Sequence, residues 1–289
     1  MSNENNNDDS GGQESWELVE LPTDCGFTFC MPKGLVPSQQ REIENTGKYE
    51  PPTTEAIKRF VDPGMVVLEC GSNCGFHTLN LAAAVSPAGR VYTYEANPEL
   101  ISVIEKNVTA NGFAAIVEVY NQGVWRENTT LPFPVRKQSL GGAGLKKKTS
   151  NPIKRWKSKR KVKYYIDLEV RSLNSLCQDR GIDFLRMDVE GAEFEAIMGS
   201  LDLLRESDIT IILEWIPKNT SRKRTLALYD TLRSLGYWIY RIGSQCLVRI
   251  DSGEDFHDRY QEIWQAGQRD VLCRKEDLGE RVERKRQRQ

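Results

Sequence analysis

Between residues 65 and 250, short apolar runs alternate with segments of helical spacing, and this alternation restricts the fold more than any other feature of the chain. Residues 65–70 (Met-Val-Val-Leu-Glu-Cys) form an apolar run ending at a glycine-bearing turn, the pattern of a buried strand. Residues 76–85 then carry Leu79, Ala82 and Ala83 at helical spacing, closed by Pro87 and Gly89. A second strand is expected at 91–95. The helix after it, over 97–111, opens with Asn97 as N-cap, Pro98 at the first helical position and Glu99 in the first turn. Further strands are expected at 117–120, 182–189 and 209–215, with helices over 194–204 and 222–235. Residues 237–241 and 246–250 read as a closing pair of strands. Strands and helices alternating at this spacing build βαβ units and a mostly parallel sheet covered on both faces, an α/β fold. Ligands bind such sheets at the carboxyl ends of the strands, so the residues just after each strand are the candidates for function.

The flanks and the composition narrow the class. The 289 residues are 39% hydrophobic and 28% charged, which excludes collagen-like, mucin-like and wholly disordered chains. Residues 1–15 hold no apolar side chain after Met1 and are expected to be a disordered tail. Residues 16–273 are read as the folded domain and 274–289 as a charged tail. The acidic, polar N-terminus is the opposite of a signal peptide, and no apolar run reaches the roughly 20 residues that span a bilayer, so the expected location is cytoplasmic. The seven cysteines include no C-x-x-C pair, and His77 and His257 lie far from any cysteine cluster able to hold zinc. Reduced, mostly buried thiols are expected and no metal ligand is assigned, with metal assistance left open because Asp188 and Glu190 are hard oxygen donors whose spacing is not diagnostic.

The first strand runs into Glu69-Cys70-Gly71-Ser72-Asn73-Cys74-Gly75-Phe76-His77-Thr78. A glycine-bearing turn between strand and helix lets backbone approach a ligand under the positive end of the helix dipole. Counting from Gly71, Asn73 and Phe76 fall where a dinucleotide fingerprint needs glycine, so the loop is not built for a pyrophosphate. The second strand ends at Glu95, an acid placed to bridge the two hydroxyls of a ribose. A ligand with a ribose but no pyrophosphate points to S-adenosylmethionine. The fourth strand leads into Arg186-Met187-Asp188-Val189-Glu190-Gly191-Ala192-Glu193. Asp188 and Glu190, two apart, face the same side of an extended strand and concentrate negative charge at the sheet's carboxyl edge. Such carboxylates need donors, such as a substrate's hydroxyls or a cofactor's ammonium group.

With these residues in view, the chain resembles the FkbM family of methyltransferases, a branch of the class I S-adenosylmethionine-dependent enzymes. Gly47-Lys48-Tyr49-Glu50-Pro51, the Glu69–Gly75 loop, Tyr94-Glu95-Ala96-Asn97-Pro98, the Asp188–Glu193 run, Leu213-Glu214 and Leu235-Gly236-Tyr237 carry the likeness, over about residues 45–250. The resemblance implies a Rossmann-like, doubly wound sheet of seven strands with the last antiparallel, and methyl transfer to oxygen, often on a sugar or a natural-product hydroxyl. Carried over, it places Glu69, Gly71, Asn73 and Gly75 around the methionine part of the cofactor, with Tyr49 and Glu50 closing over that end. Glu95 takes the ribose, the turn holding Gly123 borders the adenine, and Asp188 and Glu190 sit beside the sulfonium and the acceptor hydroxyl. Glu69 stands where Asp is more usual, Asn174 where Asp is usual, and His77 where an aromatic residue is common.

Methyl transfer is an in-line displacement dominated by positioning, and a neutral sugar hydroxyl needs a nearby base. Asp188 or Glu190 is the first candidate for that base, and His77 the second. Residues 136–163 carry twelve of the chain's 40 Lys+Arg and no acid, so 28 basic residues remain against 41 acidic ones elsewhere. The net charge of −1 is therefore a cancellation between an acidic body and one basic insertion. Within it, residues 141–144 resemble a family loop over the active site. The cations, with Trp156 among them, suit an anionic glycan acceptor, nucleic acid or an anionic membrane face. The expected function is S-adenosylmethionine-dependent O-methyl transfer to a carbohydrate or other small hydroxylated acceptor. The alternatives are an RNA methyltransferase that uses the basic segment as a backbone clamp, and an idle binding module on the same fold.

Overall fold

The computed structural model describes residues 16–34, 36–136, 162–217, 221–244, 246–259 and 269–283. A hairpin of β1 (Leu18–Pro22) and β2 (Thr28–Pro32) leads through α1 (Pro37–Thr46) and α2 (Pro51–Phe60) into the alternating part of the chain. There β3 (Val66–Cys70), α3 (Phe76–Val85), β4 (Arg90–Tyr94), α4 (Pro98–Ala110) and β5 (Val117–Tyr120) follow one another. A small sheet of β6 (Gly123–Val124), β7 (Thr129–Arg136) and β8 (Val162–Arg171) comes next. After α5 (Leu173–Cys177), the alternation resumes with β9 (Phe184–Met187), α6 (Glu193–Met198), α7 (Leu201–Glu206), β10 (Thr210–Glu214) and α8 (Arg222–Ser234). The chain then forms β11 (Trp238–Ile242), β12 (Cys246–Arg249), α9 (Gly253–Asp258), β13 (Asp270–Arg274) and β14 (Arg281–Glu283).

The central sheet runs in the order β14-β12-β11-β13-β10-β9-β3-β4-β5, parallel from β10 through β5. This is the expected α/β sheet, with nine strands among the described residues where seven were expected. Two of these strands run against the parallel set, β12 at one side and β13, which inserts between β10 and β11 and pairs antiparallel with both. The expected closing pair, β11 and β12, is present but is separated from β10 by that insertion. The stretch read as a loose charged tail supplies β14, which pairs antiparallel with β12 at the edge. The helix expected over 194–204 is two helices. At Gly199, between them, a β-carbon would stand 2.2 Å from the carbonyl oxygen of Arg126, so a crossing backbone interrupts the helical run.

The core lies on both faces of the sheet. Val67, Leu79, Val91, Leu100 and Ile104 belong to one buried cluster, and Leu68, Leu185, Ile197, Leu213 and Leu228 to the other. β9 is buried along its whole length and β3 at all but its first residue, as strands covered on both faces must be. The N-terminal hairpin docks through two side-chain amides, one on α4 and one at its C-cap. Asn107 accepts the N–H of Cys30 at 2.7 Å and donates to the carbonyls of Cys30 and Cys74, each at 2.8 Å, while Asn111 pairs with both backbone groups of Thr28. One buried amide thus ties β2 and α4 to the turn after β3, and so positions the site.

Candidate functional site

The carboxyl ends of β3, β4, β9 and β10 converge, and the side chains singled out from the sequence gather there. Gly71 has φ +85°, and a β-carbon on it would lie 1.7 Å from the carbonyl oxygen of Asp188. The Asp188 N–H donates to the Cys70 carbonyl at 2.9 Å, so the turn after β3 and the end of β9 rest directly on each other. Only glycine permits that approach. Asn73 and Gly75 also adopt positive φ, and Gly75 begins α3 with no side-chain cap, leaving a helix N-terminus suited to an anionic ligand group.

Glu69 is fully buried. It accepts the hydroxyls of Thr78 at 2.5 Å and Thr93 at 2.8 Å, and its other oxygen lies 3.6 Å from the guanidinium of Arg186. Arg186 also donates to the Gly71 carbonyl at 3.1 Å and to Asp188 at 3.2 Å. Burial opposes its charge, but Asp188 and Glu69 outweigh it and raise the Arg186 pKa further, so this cation is permanent. Glu95, nearly buried, accepts the N–H of Asn73 and of Asn97, each at 2.8 Å, one on each oxygen. Burial raises its carboxyl to about 7 despite those two donors. Asn121 donates to the Glu95 carbonyl at 2.9 Å, bringing the turn that holds Gly123 against the same strand end.

The other flank holds Tyr49, Glu50 and His77. His77 is buried, with Nε2 3.0 Å from Glu50, and its ring lies 5.8 Å from that of Tyr49. Burial, then Arg186, pull the imidazole down to about 3. A neutral imidazole with its proton on Nε2 would donate it to Glu50. A pKa so far below neutrality favours Asp188 over His77 as the candidate base. Burial and Glu50 push the Tyr49 phenol well above its ordinary value, so it too stays neutral.

At the third corner Asp188, Glu190 and Glu214 bring one carboxylate oxygen each within 4.8 Å of one another. Burial raises Asp188 against the pull of Arg186, and burial together with Asp188 raises Glu214 well above the carboxylate range. Glu190 sits at φ 51°, and Glu193 accepts the N–H groups of Val189 and Gly191 at 3.1 and 3.0 Å, which fixes the turn. Hard oxygen donors at this spacing suit a divalent cation as well as a substrate's donors. A cavity of about 300 Å³ opens beside Glu190 and Glu214, walled by Glu193, Phe194, Trp215 and Arg224. A second, of about 310 Å³, lies beyond Tyr49 and Glu50 and reaches Asp270, which accepts the hydroxyl of Thr53 and is raised to about 6 by burial and Glu50.

The structure thus brings Glu69, Gly71, Asn73, Gly75 and Glu95 together, sets Tyr49, Glu50 and His77 on one side, and joins Asp188 and Glu190 to Glu214. The sequence reading left Glu214, Arg186 and Asp270 out of the site. The signal for Arg186 was available: it is a cation in the middle of a four-residue buried strand, where an unpaired charge is untenable. The donor set fits a ribosyl ligand without pyrophosphate. Glu95 is held by two N–H groups beside a glycine turn, and Ser72 Oγ and Asn73 Oδ1 in that turn are buried with no partner among the described residues.

The family model for the methyltransferase FkbM domain matches residues 69–239. A protein-L-isoaspartate O-methyltransferase of Methanothrix thermoacetophila is 31% identical over 70 residues, 24% of this chain and 33% of that protein. An arginine N(omega)-methyltransferase of Streptomyces achromogenes is 37% identical over 87 residues, 30% of this chain and 22% of that protein. The chain therefore spans a third or less of these curated relatives. Among solved structures, methyltransferase FkbM from Methylobacillus flagellatus is similar at 14% identity and a TM-score of 0.44, over 81% of this chain and 52% of that one. No helix among the described residues is long and apolar enough to cross a membrane. With the family model matching more than half its length, the chain belongs to the FkbM-domain family of S-adenosylmethionine-dependent methyltransferases.

Proposed function

We propose that the chain transfers a methyl group to a hydroxyl of a carbohydrate or another small hydroxylated acceptor, with Asp188 as the general base. The observation that carries this reading is the position of Asp188. It stands on the backbone of the cofactor turn, held by Arg186, beside two acids that line a cavity of about 300 Å³. When bound, S-adenosylmethionine supplies an electrophilic methyl group on its sulfonium.

The chain's own residues do the rest. Glu95 would hold the ribose hydroxyls, and Gly71, Asn73 and Gly75 would receive the methionine end through backbone at close range. Tyr49 and Glu50 would close that end, with neutral His77 fixing Glu50 through its Nε2 proton. The turn at Gly123 would border the adenine. Asp188 takes the proton of the acceptor hydroxyl at a carboxylate oxygen. Its raised pKa makes it a stronger base than an ordinary carboxylate, and Glu190 and Glu214 orient the acceptor through its remaining hydroxyls.

The test is radiolabelled methyl transfer from S-adenosylmethionine to a panel of hydroxylated acceptors. Asp188→Asn should lower turnover by about 10²–10⁴, the range of a lost general base. Unchanged turnover, or methyl appearing on nitrogen alone, would refute the assignment.

A further inference from the structure

We propose that Glu214 is the positioning residue of the candidate base: it carries a proton and donates it to one oxygen of Asp188, so that the two carboxyl groups hold a single proton between them. The proposal rests on the methyl-transfer reading and deepens it, because it says what holds the base in place.

The strands bring the pair together. Met187 and Leu213 are register partners on the parallel strands β9 and β10, so the next residues, Asp188 and Glu214, leave the carboxyl edge side by side. On the far side of β10, Glu214 is itself the partner of Asp270 on β13. Asp188 and Glu214 bring one oxygen each within 4.8 Å, and the two groups are hydrogen-bonded to each other. An ionised carboxylate only accepts, so a hydrogen bond between two carboxyl groups requires a proton on one of them.

The surroundings decide which one carries it. Asp188 has a permanent cation against it, Arg186 at 3.2 Å, which favours its ionised form. Glu50, on the opposite flank, opposes that ionisation less than Arg186 favours it, and His77, pulled down to about 3, brings no charge near neutrality. The charges that act most on Glu214 are those of acids, Asp188, Asp270, Glu190 and Glu193, and all of them favour its protonated form. Arg224, the cation across the cavity, pairs instead with Glu195. Burial acts on Glu214 in the same direction as the acids.

Asp188 is then clamped from two sides, by the Arg186 guanidinium and by the Glu214 hydroxyl, with lone pairs left for the acceptor's proton. Being neutral, Glu214 holds Asp188 without the repulsion of a second carboxylate. Asp188 takes the hydroxyl proton as the acceptor oxygen bonds the methyl carbon and the electron pair of the broken sulfur–methyl bond stays on sulfur. The pair then holds two protons, and it returns one to water when the product leaves. Glu214 ends each turnover as it began.

The first experiment reads the proton itself. The full chain, freed of metal ions with a chelator and made with carboxyl-labelled glutamate, is compared with Glu214→Gln by infrared difference spectroscopy at about pH 8.5, where Glu95 and Glu193, raised to about 7, are ionised. The unchanged chain should show a protonated-glutamate C=O band that Glu214→Gln removes and Asp188→Asn shifts. Absence of the band, or its survival in Glu214→Gln, overturns the proposal. So does its loss on adding saturating magnesium, because Asp188, Glu190 and Glu214 would then hold a cation in the proton's place. The second experiment measures turnover on a hydroxylated acceptor that the chain methylates. Glu214→Gln, whose amide still donates, should stay within about threefold of the unchanged chain. Glu214→Leu should lower kcat and kcat/KM alike by about 10–100-fold, the range of a lost hydrogen bond to a charged group, and move the acid limb to higher pH as Asp188 loses its donor. Thermal melts confirm that both variants fold. Unchanged turnover in Glu214→Leu, or equal losses in the two variants, overturns the proposal. The expected band without methyl transfer to any hydroxyl overturns the reading of Asp188 as base and leaves the shared proton established.

Discussion

Replacing Arg186 by Met removes the one charge that links the cofactor turn to the candidate base, and its consequences can be worked from three distances. The guanidinium stands 3.2 Å from Asp188, 3.6 Å from Glu69 and 3.1 Å from the Gly71 carbonyl, and Glu69 is fully buried. At an effective dielectric of about 20, the two ion pairs each contribute about 5 kcal/mol of gross attraction. Much of that offsets the desolvation of the guanidinium, and the net effect of breaking a buried pair is about 3–5 kcal/mol. The loss should also depend on pH. Asp188 already lies above its ordinary value because burial outweighs Arg186, so removing the cation raises it further. A carboxyl whose folded pKa is raised is favourable to stability below its unfolded pKa and loses that contribution as pH rises through the folded value. The destabilisation by Arg186→Met should therefore be largest near pH 8 and shrink toward pH 5, where protonation relieves the stranded charge. Urea unfolding at both pH values measures it: about 1–5 M off the midpoint at pH 8 for a slope of about 1–3 kcal/mol/M, and less at pH 5. The acid limb of the turnover profile should move to higher pH as well. A loss below about 1 kcal/mol at pH 8, or one equal at both pH values, would refute the reasoning, since neither is compatible with a buried cation holding two carboxylates.

Two further outcomes follow from the same geometry. Asn107→Leu strands the N–H of Cys30 and the carbonyls of Cys30 and Cys74, so it should destabilise by about 2–4 kcal/mol and weaken S-adenosylhomocysteine binding; a fully stable variant with unchanged binding would show that the amide does not hold the turn. His77, pulled down to about 3, binds a proton in the unfolded chain below about 6.5 and not in the folded one, so folding loses stability as pH falls from there. Going from pH 7 to pH 5, His77→Gln should therefore lose about 2 kcal/mol less than the unchanged protein and leave the turnover profile without a shifted limb; a limb that vanishes would return His77 to the role of base.

Much of the parallel half of the fold was legible because it depends on local signals. Residues 65–70 are an apolar run of strand length, and Asn97, with Pro98 and Glu99, is an N-cap whose side chain does accept the N–H of Glu99. Lateral order is another matter. β13 is five residues long and joins the sheet by inserting between two strands that precede it in the chain, and no local pattern encodes that choice of partner. The same holds for β14, whose charged residues read as a tail until β12 offers an edge to pair with. The break at Gly199 comes from the backbone of Arg126, which lies far away in sequence. At the site, Gly71, Glu95 and Asp188 were visible as residues that end strands. Glu214 also ends a strand, but its weight appears only when three carboxylates meet in space. For His77, a sequence shows a histidine's ordinary pKa and not the burial that lowers it.

Arg136 and Val162 are partners across the β7–β8 ladder, so residues 137–161, most of the basic insertion and all outside the described residues, leave the body and rejoin it at neighbouring points. Closing a connection between two such ends is insensitive to its length, each doubling adding only about 0.6 kcal/mol. The sheet and the acidic corner therefore place few demands on what is strung between them. The ten cations of residues 137–161 are in this sense carried on a fixed handle, while the acidic corner stays where β3, β9 and β10 put it.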